Sequence, residues 1–185
     1  MTQSDPGPRL RHVIVAGGRP DEWGALAEQD WITLLTDLGK VADQVGADWL
    51  TLRPWGPGAD ADGVGGGGAR RELVIGTCVV TAQPEADGRA RVAAAVETLR
   101  AGGGPITEES IGELLDAPAT ADADLVVVLG SPHVLPPSLV WELAYSELVF
   151  IDIPWRHLSA AHLEDAFASY GHRHRRFGGL DPEID

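Results

Sequence analysis

Apolar residues along this chain fall into short unbroken runs, separated by longer stretches in which they recur at helical spacing. The run HVIVAG (12–17) ends in Gly17-Gly18 and then Arg19-Pro20-Asp21, which predicts a buried strand entering a tight turn. Between residues 23 and 46, Trp31, Leu34, Leu35, Leu38, Val41, Ala42 and Val45 mark one face of a helix, and Gly46 supplies its stop. DWLTLR (48–53) predicts a second strand and ELVIGTCVVTA (72–82) a third. Residues 87–101 predict a helix with Val92, Ala95, Val96 and Leu99 on one side, and PITEESIGELL (105–115) a short helix capped by Thr107. ADLVVVLG (123–130) predicts another strand, PSLVWELAYSE (137–147) a helix opened by Pro137, and LVFIDI (148–153) the last strand. A final helix runs from a Ser159 cap to about Arg176 and buries Leu163, Ala166, Phe167 and Tyr170.

Strands that are apolar on both faces and alternate with helices predict an α/β fold, a mostly parallel central sheet with helices on both faces. One domain is expected over residues 12–180, interrupted by a Gly/Pro-rich loop at 54–71. It is preceded by a disordered lead (1–11) and followed by an acidic tail (181–185).

Charge sharpens this picture. The 185 residues carry 28 acidic against 14 basic side chains, a formal net charge of −14, which argues against nucleic acid as the main partner. No apolar run is long enough for a membrane helix, and the opening MTQSDPGPRLRH has no apolar core of a secretory signal, so a cytoplasmic location is expected. The single cysteine, Cys78, lies inside LVIGTCVV and reads as a buried, inert strand residue.

Little in the chain reads as a known chemical motif by itself. The tetraglycine Gly65–Gly68 lacks the Lys-Ser/Thr of a phosphate-binding loop and reads as a linker. The turn GGRPDEW follows the first strand, where open α/β sheets bind anions, but it is not a GxGxxG fingerprint. The cationic stretch is different. His172, Arg173, His174, Arg175 and Arg176 precede Phe177, Gly178 and Gly179. A helix C-terminus favours one or two cations, not five ionisable side chains followed by Phe-Gly-Gly. Arginine suits a diphosphate, and glycine lets backbone approach a ligand closely, so this stretch is the candidate anion site.

Residues 141–179, WELAYSELVFIDIPWRHLSAAHLEDAFASYGHRHRRFGG, resemble the C-terminal region of the cis-prenyltransferases, the undecaprenyl diphosphate synthase family. That family reads roughly W-Q-x-A-Y-A-E-L-x-F, D-x-x-W-P and R-x-R-R-F-G-G. HVIVAGG and GADWLTLRPWG are similar to its first two strands, and DGRARVAAAVETLRAG to its middle helix. The resemblance implies a dimer that condenses isopentenyl diphosphate onto an allylic diphosphate with magnesium. It implies that Arg176, Phe177 and Gly178 reach isopentenyl diphosphate in the partner subunit's site. It also matches Glu147 to a glutamate used near the metal, beside the alternative that Glu147 is a helix-end hydrogen-bonding residue.

The departures from the family pattern are equally informative. Gly17 stands where the family has a magnesium-binding aspartate. Val128 and Val134 stand where it has diphosphate-binding arginines, and Pro136 where it has a serine. The loop at 54–71 replaces the helices that wall the product tunnel. The chain therefore resembles the non-catalytic subunits of heteromeric cis-prenyltransferases, of the Nogo-B receptor type. A full-length catalytic subunit is then the expected partner, and Mg2+ is expected to be held there, with no catalytic or metal residue in this chain alone. Trp141, Tyr145, Phe150 and Trp155 are the candidate dimer contacts, with core packing the alternative for Trp141 and Phe150. The rival readings are a self-sufficient short-chain prenyl diphosphate condensing enzyme, a scaffold with a vestigial motif, and an unrelated nucleotide-binding module.

Overall fold

The first apolar run forms strand β1 (His12–Ala16), buried at every position in the middle of a sheet. In chain order there follow α1 (Pro20–Ala25), α2 (Glu28–Gln44), β2 (Trp49–Arg53), β3 (Arg71–Ile75), β4 (Cys78–Ala82), α3 (Gly88–Gly102), α4 (Glu108–Asp116), β5 (Leu125–Leu129), β6 (Glu147–Ile151) and α5 (Ala160–Phe177). This computed structural model describes residues 10–56 and 68–177, and the side chains of α5 up to Arg173. The sheet has six strands in the order β3-β4-β2-β1-β5-β6, with every neighbouring pair parallel except β3 and β4. The expected α/β class with a mostly parallel sheet is therefore what the chain adopts.

The two faces of the sheet differ. On one, Val13, Val15, Leu50, Leu52, Val80, Leu125 and Val127 pack with Trp31, Leu35 and Leu38 of α2 and with Leu163 and Phe167 of α5. On the other, Ile14, Ala16, Val126 and Val128 form a smaller apolar cluster with Leu139. Beside that cluster β2 and β4 bury Thr51, Arg53 and Thr81. His12 joins this polar layer, its Nε2 lying 3.1 Å from the Thr51 hydroxyl and its Nδ1 3.0 Å from the Ala121 carbonyl. Burial holds its pKa down at about 4, so the ring is neutral at ordinary pH.

Four local expectations need correction. The run 72–82 is not one strand but the hairpin β3–β4, turned at Gly76-Thr77. Gly76 has φ +59° and faces the Asp43 carboxylate, which accepts from the Thr77 amide (2.7 Å) and hydroxyl (3.0 Å). A side chain at 76 would be strained and would collide with Asp43. The helix expected over 23–46 is split into α1 and α2 at Leu26 and Ala27, both extended. That break lets Trp23 donate to the Gly17 carbonyl (2.8 Å) and Trp31 to the Trp23 carbonyl (3.3 Å). Val45, placed on the buried face of that helix, is 41% exposed beyond its end. The helix expected over 137–147 is two isolated 3₁₀ turns, Pro137–Leu139 and Glu142–Ala144, because the Glu147 amide already bonds Asp124 and starts β6.

The N-terminal lead is also shorter than expected within the described residues. Leu10 is buried in the core, and the Arg11 amide donates to Asp124 at 2.6 Å. Residues 1–9, 57–67 and 178–185 lie outside the described residues, and with them most of the expected loop, Gly178 and the acidic tail.

Candidate functional site

Parallel strands bring their C-terminal ends to one edge of a sheet, where α/β proteins build ligand sites. Here that edge is filled. The Gly17 amide donates to the Arg53 carbonyl (3.0 Å) and its carbonyl accepts from Trp23, so the backbone is held on both sides. A Cβ at position 17 would stand 2.6 Å from Leu129 Cδ1 and 2.9 Å from Leu129 Cβ. At Gly18, with φ +72°, a Cβ would stand 2.6 Å from the Trp155 ring. Trp155 stacks on Trp23 with centroids 5.3 Å apart, and Trp31 meets Trp23 edge-on at 5.0 Å. The Arg71 guanidinium lies 4.7 Å over the Trp31 ring and pairs with Glu28 at 2.8 Å. A glycine packed against leucine and indole offers no oxygen ligand, so these residues do not fit Mg2+.

The other departures are equally apolar. Val128 is fully buried and paired with Ala16 and Phe150 across the sheet. Val134 is half exposed, and Pro136 is buried.

What the polar face of the sheet does hold is a buried ionic cluster. Glu142 pairs with Arg91 at 2.7 Å and with Arg53 at 3.6 Å, and both Glu142 and Arg53 are only 1% exposed in their side chains. Arg53 and Arg91 each donate to the Leu115 carbonyl, at 3.0 and 3.1 Å, and Arg91 reaches the Ser138 carbonyl at 2.9 Å. Arg53 Nε and Nη1 and Glu142 Oε2 make no hydrogen bond. Burial and then Arg91 push the Arg53 guanidinium down to about 9, with Glu142 opposing. The expectation missed this cluster. Its signals were an arginine ending an apolar strand before Pro54, and a glutamate inside the apolar run SLVWELAY.

Next to it stands Asp116, whose carboxyl is pushed up to about 7 by burial first, then by Glu142 and Asp122, against Arg53 and Arg91. The folded state therefore keeps this proton up to about pH 7, while the unfolded chain releases it near 3.8. More protons are bound in the native state between those values, so this group stabilises the fold at low pH and loses its advantage as pH rises. His12 has the opposite slope between about 4 and 6.5, so the difference between variants isolates Asp116. Asp116→Asn is expected to gain stability on the wild type by roughly 2–3 kcal/mol between pH 5 and pH 8, the cost of burying the amide being the same at both and cancelling in that difference. Urea denaturation at both pH values measures it, and an unchanged difference refutes it.

The expected site residues are placed as follows. Arg176 and Phe177 close α5, their side chains lying outside the described residues, as does Gly178 altogether. Glu147 opens β6, at the N-terminal end of the strand and so at the opposite edge of the sheet from Gly17. The two candidate regions converge: Arg173 of α5 donates to the Leu148 carbonyl at 2.8 Å, and Tyr170 feels the Glu147 charge. Arg173 thus anchors the helix end to the edge strand. Of the expected dimer contacts, Tyr145 is 54% exposed, Trp141 and Phe150 are half-buried, and Trp155 is buried in the core beneath Gly18. Trp155 therefore packs the interior of this chain and is not a surface anchor. Cys78 is fully buried as expected, and its thiol is pushed up to about 12 by burial, then by Asp43 and Asp48.

Comparisons with known proteins agree with this fold. A family model described as "Putative undecaprenyl diphosphate synthase" matches residues 75–178. Isoprenyl transferase 2 of Bradyrhizobium diazoefficiens is 45% identical over 75 residues, 40% of this chain and 30% of its own. The isoprenyl transferase of Chromobacterium violaceum is 38% identical over 107 residues, 57% of this chain and 43% of its own. The matches thus span less than half the length of these curated relatives. Among solved structures, a probable undecaprenyl diphosphate synthase from Campylobacter jejuni superposes with a TM-score of 0.60 at 15% identity, covering 93% of this chain and 100% of that one. Lavandulyl diphosphate synthase from Lavandula x intermedia, solved with dimethylallyl diphosphate, gives 0.59 at 16% identity, covering 92% and 99%. Those two likenesses concern the fold. The family match, over more than half of its length, shows that this chain belongs to the undecaprenyl diphosphate synthase family, the cis-prenyltransferases.

Proposed function

We propose that this chain is the accessory, non-catalytic subunit of a heteromeric cis-prenyltransferase. The observation that carries the reading is the filled edge at β1, where Leu129 occupies the space a side chain at position 17 would need. A second observation supports it. Arg173, three residues before Arg176, donates to Leu148, the neighbour of Glu147 on the edge strand, at the far end of the sheet from that plugged site.

In this reading a full-length catalytic subunit holds the allylic diphosphate, Mg2+ and the product tunnel. This chain lends Arg176 and the Gly178 amide to the diphosphate of isopentenyl diphosphate, with Phe177 between them and Glu147 nearby. A guanidinium donates two parallel hydrogen bonds to a diphosphate and offsets its charge. Holding the nucleophilic substrate against the allylic carbon is catalysis by positioning and electrostatics. Exposed Tyr145, with Trp141 beside it, supplies aromatic contacts to the partner.

The relatives' names favour a second reading, a self-sufficient short-chain condensing enzyme, because each is called a transferase or synthase. One assay separates them. The purified chain is expected to elongate no prenyl diphosphate, and activity is expected to arise on adding the catalytic family member that co-purifies with it. Arg176→Ala is expected to lower that activity about 100-fold. Magnesium-dependent elongation by the isolated chain refutes the proposal in favour of the second reading. Full activity of the Arg176→Ala complex refutes the shared site and leaves a scaffold.

No helix among the described residues is long and apolar enough to cross a membrane.

A further inference from the structure

A cleft of about 480 Å³ opens beside α4, on the surface away from the plugged edge. Its wall carries Glu109 and Glu113 of α4, Asp116 at the helix end, Asp122, and the rings of Trp141 and Tyr145. Among the described residues no lysine, arginine or histidine lines it.

Acidic surface alone is unremarkable in a chain of net charge −14, but Asp116 is not surface. It is 5% exposed, and its carboxylate accepts no hydrogen bond from any described residue, although it borders the cleft. It is also the last residue of α4, where helix carbonyls already concentrate negative potential, and the last turn holds no basic residue. Buried carboxylates normally have donors. Glu142 and Asp122 press on this one with like charge, and Arg53 and Arg91 compensate in part. A cation entering from the cleft would supply what the fold withholds.

The kind of cation follows from the lining. Among the described residues no group of three His, Cys, Asp or Glu side chains converges closely enough to hold a metal ion. Glu109, Glu113 and Asp116 follow one another at helical spacings of four and three, so their carboxylates form a row extending roughly 10 Å along α4. Trp141 and Tyr145 line the same cleft, and aromatic faces attract guanidinium and ammonium groups. Tyr145 is held in place by a hydrogen bond from its hydroxyl to Glu108 of α4. A row of acids beside aromatic rings suits an elongated organic cation.

We propose that this cleft binds an organic cation of the guanidinium or alkylammonium class, its charged head on Asp116, its length along Glu113 and Glu109, and its apolar stem against Trp141 and Tyr145. The head meets a charge-assisted hydrogen bond in a water-poor corner, where such bonds are strongest. The source is either a free diamine-like metabolite or an arginine or lysine side chain of a bound protein. The site is built from this chain's residues alone, and it is tested on the isolated chain, where no partner covers Trp141 and Tyr145.

The test titrates the full chain at pH 8 with agmatine and with spermidine, following the Trp141 indole N–H by NMR, assigned through Trp141→Phe. Magnesium chloride and sodium chloride at matched ionic strength serve as comparisons. Saturable shifts of the Trp141 signal are expected with the organic cations, and none with the salts. Asp116→Asn is expected to weaken binding at least tenfold, Glu113→Gln less, and Glu97→Gln, an exposed acid on α3, not at all. A Gly-Arg-Gly amide binding more tightly than agmatine assigns the site to a protein side chain, and the reverse order to a free cation. Dispersed spectra show that each variant is folded. Absence of a saturable shift with every organic cation, equal affinity in Asp116→Asn, or equal binding of magnesium overturns the proposal.

Discussion

Glu142→Gln is expected to destabilise the protein by roughly 3–5 kcal/mol, although it removes no volume and no apolar contact. Glu142 is the direct counter-ion for Arg91 at 2.7 Å and stands 3.6 Å from Arg53. Arg91 has alternatives, because its side chain is 9% exposed and it also bonds the Ser138 and Leu115 carbonyls. Arg53 has few, since it is 1% exposed and two of its three guanidinium nitrogens make no hydrogen bond. Neutralising Glu142 leaves that charge in the interior with the Leu115 carbonyl and the weaker pull of Glu85 and Asp116 to hold it, so most of the desolvation penalty goes unopposed. Two further variants separate this cause from simple packing. Arg53→Met with Glu142→Met removes both charges and is expected to lose less stability than Glu142→Gln alone. Urea denaturation with unchanged slope measures both. A Glu142→Gln loss under about 1 kcal/mol, or a double variant worse than the single one, contradicts the argument.

That cluster also marks where sequence reading stops. The strands were legible because runs such as HVIVA and LVVVL have no polar face to offer water, and only the middle of a sheet covered on both sides accommodates them. The buried face of α5, with Leu163, Ala166, Phe167 and Tyr170, was legible from spacing alone. The β3–β4 hairpin was not, because Gly76-Thr77 interrupts an apolar run by two residues only, and the turn is set by Asp43, distant in sequence. Trp155 was misread as a surface anchor because aromatic character does not distinguish an interface from a core. What decides it is Gly18, whose missing side chain makes room for the ring. The ionic cluster gathers residues 53, 91, 116 and 142 from different elements, and no local pattern links them. The loss of an aspartate at Gly17 was legible as a substitution, but the filling of its space by Leu129 depends on β1 lying beside β5.

This last point carries the second large effect. Gly17→Asp restores the family's residue by name but is expected to bind no magnesium and to destabilise the fold by more than about 4 kcal/mol. The new Cβ would stand within 2.6–2.9 Å of Leu129 side-chain carbons, closer than packed atoms tolerate. Overpacking of this kind costs about 1–3 kcal/mol, and an unpaired carboxylate beside a tryptophan cluster adds its own desolvation. Backbone relaxation offers little relief, since the Gly17 amide and carbonyl are tied to Arg53 and Trp23. If Leu129 is the obstacle, Leu129→Ala opens space at a cost of about 2–5 kcal/mol as a single change but, combined with Gly17→Asp, removes the Cδ1 contact at 2.6 Å and the Cγ contact at 2.9 Å and leaves only the Cβ contact at 2.9 Å. The double variant is then expected to be more stable than the sum of the two losses by at least about 1 kcal/mol, a coupling a double-mutant cycle reads directly. Additive losses would mean that Leu129 does not fill the missing site. The replacement of the metal carboxylate would then be a change of one residue rather than a rebuilt, apolar edge.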